Sequence, residues 1–143
     1  MQRILILVSI FLLVGGMSFG QGLGDLQLIG NKTGLSSVSK KQIREIFRGG
    51  QSIWKTGEQV LLVMPSAKSD FALQFSETVL QMSYPALQKF WLALVFQGRA
   101  NAPVFLNSSQ EILEFVKRNP GALAFVKLPA REINPAFLIA VED

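Results

Sequence analysis

The run Gln59-Val-Leu-Leu-Val-Met64, broken by Pro65 and followed by Phe71, Phe75, Val79 and Met82, most constrains this chain. A short apolar run closed by proline reads as a buried strand, and apolar residues at helical spacing read as one face of a helix from about Ser69 to Gln81. Strand, loop and helix in that order need a sheet with helices laid against it. A helix beginning after Pro65-Ser-Ala-Lys-Ser69 turns its unpaired backbone N–H groups toward that loop. Ser66, Lys68, Ser69 and Asp70 stand there, a setting that suits phosphate or a carboxylate. The plainer reading is a helix cap beside a solvated lysine, and on the loop alone it weighs more.

The same alternation continues along the chain. Asp25–Asn31 reads as a first strand. Ser39-Lys-Lys-Gln42 has the spacing of a capping box, with Ile43, Ile46 and Phe47 on one helix face and Gly49-Gly50 to end it. Gln51–Gly57 is a loop carrying Trp54, expected to plug the domain edge. Pro85 suits the first turn of a third helix, in which Leu87, Phe90, Trp91, Leu94 and Val95 make the inward stripe. Val104–Leu106 reads as a strand, Ser108–Glu111 as a second capping box, and Asn119-Pro-Gly121 as a helix stop. Ala122–Val126 and Phe137–Val141 complete the strands. The fold class is α/β, one domain with a central, largely parallel or mixed sheet flanked by helices.

Residues 1–20 are set apart from that domain. Arg3, the apolar run Ile4–Val14 and the small residues Ser18 and Gly20 read as a secretory signal peptide cleaved near Gly20. The run is short of the roughly 20 residues of a membrane span. The expected product, residues 21–143, is a periplasmic or secreted domain. With no cysteine and no histidine, disulfides, thiolate chemistry, the Ser-His-Asp triad and nearly every zinc site are excluded. Catalysis is the poorer reading, and no cofactor or metal is expected. A net charge of +4, with scattered cations, makes no nucleic-acid footprint.

Several stretches taken together resemble a known family. These are Asn31-Lys-Thr-Gly34, the run from Lys41 through Gly50, Trp54-Lys-Thr-Gly57, Met82-Ser-Tyr-Pro85 with Phe90-Trp91, Phe96-Gln-Gly98, and Asn119-Pro-Gly-Ala-Leu-Ala-Phe-Val126. The last is very close to the motif tPGAIGYV. In order and spacing they are similar to the substrate-binding proteins of phosphate ABC transporters, of the type II periplasmic-binding superfamily. The resemblance covers one of that family's two lobes and implies a small, single-lobe relative. It implies a non-enzymatic, exported solute-binding domain that takes a small oxyanion, phosphate first, and serves a membrane transporter or sensor. Two copies pairing as a homodimer would rebuild a clamp.

Family members carry an Arg, a Ser, glycines and a Thr in the phosphate loop, where this chain has Met64-Pro-Ser-Ala-Lys-Ser-Asp70. Ser69 matches the family's Ser in one register, Lys68 replaces the Arg charge, and neither Gly nor Thr is present. The expected ligand-binding residues are Ser66, Lys68, Ser69 and Asp70. Asn31 and Thr33 join them if the end of the first strand faces the same cleft, and otherwise form a plain polar turn. Gly98-Arg99 is either a further anion contact or a solvated loop. The alternative function is a ligand-free envelope protein-interaction module on the same scaffold.

Overall fold

The computed structural model describes residues 23–143, so the expected signal peptide lies outside the described residues. Six strands form one mixed sheet: β1 (Gln27–Gly30), β2 (Ser37–Ser39), β3 (Leu61–Pro65), β4 (Val104–Leu106), β5 (Ala122–Val126) and β6 (Leu138–Glu142). Their order across the sheet is β2-β6-β1-β5-β3-β4. β3 runs parallel to both β4 and β5, and β2 runs parallel to β6. β1 alone points the other way, pairing antiparallel with β5 and β6. Every residue of β5 is buried, because helices cover the sheet on both faces there.

Among the described residues, four helical segments and two short 3-10 turns, Ala130–Glu132 and Pro135–Phe137, accompany the sheet. In α1 (Lys40–Phe47) the capping box is complete: Ser39 Oγ accepts from Gln42 N–H, and the Gln42 side chain accepts from Ser39 N–H. Its buried residues are Ile43, Ile46 and Phe47. Phe47 meets Phe75 edge-on at 5.6 Å between ring centroids, and both rings pack on Phe125 of β5, at 5.7 and 6.0 Å. These aromatic contacts fill the sheet's first face.

α2 departs from the expected regular helix. It is a single α-turn, Ala72–Gln74, that widens into a π-helix over Phe75–Val79. Ser76 and Thr78 donate their hydroxyls to the carbonyls of Leu73 and Gln74, at 3.1 and 2.6 Å, and so compete for acceptors of the regular ladder. The wider turn also keeps Phe71, Phe75 and Val79, spaced four apart, buried together.

Pro85 lies in the first turn of α3 (Tyr84–Phe96), whose cap Ser83 accepts from Ala86 N–H. α4 (Ser109–Arg118) buries Ile112, Leu113 and Val116. The expected second capping box is only half formed. Ser108 Oγ accepts from Glu111 N–H, but the Glu111 carboxylate reaches one residue further back, to Asn107 N–H at 3.0 Å. The chain passes from β3 outward to β4, then back past β3 to β5. The two parallel crossovers run in opposite directions across the sheet, which by the general right-handed rule places α2–α3 on one face and α4 on the other.

Candidate functional site

That reversal defines the place where a ligand would sit. The loops leaving β3 and β4 go to opposite faces of the sheet, and the gap between them is a topological switch point. Ser66 begins one loop and Asn107 the other. Ser66 N–H donates to Leu106 O at 2.8 Å, continuing the strand pairing, and the Ser66 hydroxyl donates to Asn107 Oδ1 at 2.5 Å across the gap. Lys68, Ser69 and Asp70 follow in the same loop, with Lys68 and Asp70 exposed and Ser69 half-buried.

Three amides of this loop and the turn after it are paired within it. Lys68 N–H donates to Ser66 Oγ, Ser69 N–H to Ser66 O, and Phe71 N–H to Ser69 Oγ, at 3.3, 2.9 and 3.3 Å. The helical stretch these amides precede is the α-turn Ala72–Gln74 continued by the π-helix Phe75–Val79. The Lys68, Ser69 and Phe71 amides, expected to converge on an anion, are thus already engaged within the loop.

Three residues not singled out in the sequence join this edge. Asn107 follows β4 and Lys127 follows β5; Lys127 N–H donates to Ser109 Oγ at 2.8 Å. Asp25 precedes β1, whose reversed direction brings its start to the ends of β3 and β5: Gln27 pairs with Val126. The bond from Gln74 Nε2 to Asp25 Oδ1, 2.9 Å, holds the Asp25 carboxyl below its ordinary pKa, with Lys127 adding to the effect. Lys68 and Lys127 therefore share the edge with the acidic side chains of Asp25, Asp70 and Glu111, and its charge is mixed rather than strongly positive. The strand-end rule applied to Val104–Leu106 and Ala122–Val126 finds Asn107 and Lys127. Asp25 was legible only once the direction of β1 was known.

Asn31 and Thr33 are a correction. Because β1 is antiparallel to β5, its end lies at the opposite edge of the sheet, where β3 and β5 begin. There Asn31 Nδ2 donates to Val116 O and Lys117 O, at 2.8 and 3.2 Å, closing the C-terminal end of α4. Gly121 N–H donates to Asn31 O, and Thr56 Oγ1 donates to Lys32 O. Thr33 is buried, its hydroxyl accepting from Leu35 N–H. These residues build a structural corner and do not join Ser66–Asp70. Trp54 plugs the same end, buried, with its indole N–H on Gly121 O at 2.8 Å. Arg99 lines a separate recess of about 440 Å³ with Gln51, Glu58 and Trp91, near the start of β3.

Solved structures share this fold. An ABC-type phosphate transport receptor from Vibrio cholerae superposes with a TM-score of 0.58 at 17% identity, covering 83% of this chain and 46% of the receptor. PstS from Borrelia burgdorferi gives 0.62 at 11% identity, with 83% and 47% covered. A putative phosphate ABC transporter substrate-binding protein from Clostridium perfringens, solved with bound phosphate, gives 0.52 at 15% identity, with 82% and 44% covered. The fold is that of phosphate-transport binding proteins. This chain spans a little under half the length of each of these phosphate-binding neighbours. No protein-family model matches the chain, and no curated protein matches it in sequence.

Proposed function

We propose that this chain is an exported, non-enzymatic solute-binding module that takes a small oxyanion, phosphate first, for a membrane transporter or sensor. The observation that supports the reading is the topological switch point between β3 and β4, on a fold shared with phosphate-transport binding proteins. In this reading the Ser66 hydroxyl turns from Asn107 to a ligand oxygen, Ser69 contributes its hydroxyl, and Lys68 supplies the charge. A lysine is a point charge without the planar fork of arginine, and Asp70 opposes an anion, so binding is expected to be weak. Localisation outside the cytoplasm rests on Arg3, Ile4–Val14 and Gly20.

Calorimetric titration with phosphate, sulfate and citrate tests this. The expected result is sub-millimolar heat with phosphate that Lys68→Ala and Ser69→Ala abolish. No heat with any of the three anions overturns it. A second reading is favoured by one observation: the Lys68, Ser69 and Phe71 amides are paired within the loop. On that reading the scaffold is a ligand-free envelope interaction module, and all three titrations stay silent.

A further inference from the structure

α3 is apolar on two sides. Its inward side buries Leu87 and Trp91, and its outward side leaves Leu92 68% and Phe96 89% exposed; Val95, expected on the inward stripe, lies beside them at 38%. The outward face continues into a recess of about 320 Å³ lined by Pro103 and Phe105 at the edge strand β4. A helix that is apolar all round is normally covered on both sides. A contiguous exposed apolar face of this kind marks an interaction surface.

The surrounding charge says what covers it. From Thr78 to Gln110 the chain contains no acidic residue. The cations of that stretch are Lys89, one turn before Leu92 and lining the same face, and Arg99, just past Phe96; Glu58 lines the neighbouring recess with Arg99 but not the apolar face. A second copy of the same face would oppose like charges, whereas an anionic occupant meets both favourably. Phe96 stands almost fully clear of its own chain. Fluid hydrocarbon accepts such a projecting ring without a preformed pocket, while a protein partner must supply one.

We propose that the outward face of α3 docks on an anionic lipid surface. Leu92 and Phe96 enter the acyl boundary, with Lys89 and Arg99 at the phosphate level. The inference does not require anion capture between β3 and β4, although Ser66 and Ala67 also line the recess; vesicle binding and phosphate heat are read separately.

Co-sedimentation of the exported chain with vesicles tests it, using phosphatidylglycerol mixed with phosphatidylcholine against phosphatidylcholine alone. The expected result is salt-sensitive binding to the anionic vesicles, weakened about tenfold in Leu92→Ser/Phe96→Ser by the loss of apolar area. Lys89→Gln/Arg99→Gln, confined to exposed positions, is expected to lose the salt-sensitive part while keeping its melting temperature. The proposal is overturned by no binding to anionic vesicles, by equal binding to both vesicle types, or by full binding in either double variant. A lipid-free dimer that Phe96→Ser dissolves, in a chain that ignores vesicles, overturns it in favour of self-association.

Discussion

Single residues fix the corners of this fold, and Gly121 is the sharpest case. Its φ is +89°, and a Cβ there would collide with the Gln59 carbonyl oxygen. Backbone cannot give way as a flexible side chain does. Gly121→Ala is expected to cost about 3 kcal/mol or more, read from urea unfolding. Tyr84 offers a test by pH. Its hydroxyl donates to Pro65 O at 2.9 Å, directly under the Ser66 loop, and burial raises its pKa above the ordinary 10.0. The unfolded phenol therefore ionises first. The contribution of Tyr84 is complete below the unfolded value and fades as pH rises through the folded one. The melting temperature is expected to fall more steeply above about pH 10 in the parent chain than in Tyr84→Phe. At neutral pH that variant is expected to lose about 1 kcal/mol, with the loop above it loosened.

Elements whose signals lie within a few residues were legible in the sequence. The Ser39–Gln42 box opens α1 as its spacing indicates, and Pro85 sits in the first turn of α3. Ser39→Ala is accordingly expected to cost about 1 kcal/mol in a thermal or urea melt, because Gln42 N–H loses its acceptor. α2 was misread because its periodicity records which residues are buried and not how the backbone turns between them. Phe71, Phe75 and Val79 satisfy a regular helix and a π-helix alike. The hydroxyls of Ser76 and Thr78 bear on that choice, since they take up carbonyls of the preceding turn. The Glu111 carboxylate slipped from its expected acceptor role at Ser108 to Asn107 for a similar reason. Two N–H groups lie within reach of one flexible side chain.

Over the whole molecule, the C-terminal strand holds two others in place. β6 lies between β2 and β1 and is the pairing partner of β2. A chain ending at Lys127 would leave β2 unpaired and strip one edge of β1, whose Leu28 and Ile29 are buried. That truncation is expected to abolish the cooperative unfolding transition, seen by circular dichroism as a broad melt from a low baseline. The alternating apolar runs and helical stripes determined an α/β domain and its core, because burial of side chains follows a period that local sequence carries. The direction of β1 has no such local signature, since an isolated strand reads the same whichever way its neighbours run. Pairing across the sheet decided it, and with it the fate of Asn31 and Thr33, which went to one edge while Asp25, Asn107 and Lys127 went to the other. The tertiary structure likewise decided how the Lys68, Ser69 and Phe71 amides are spent, because their acceptors depend on how the loop closes on itself.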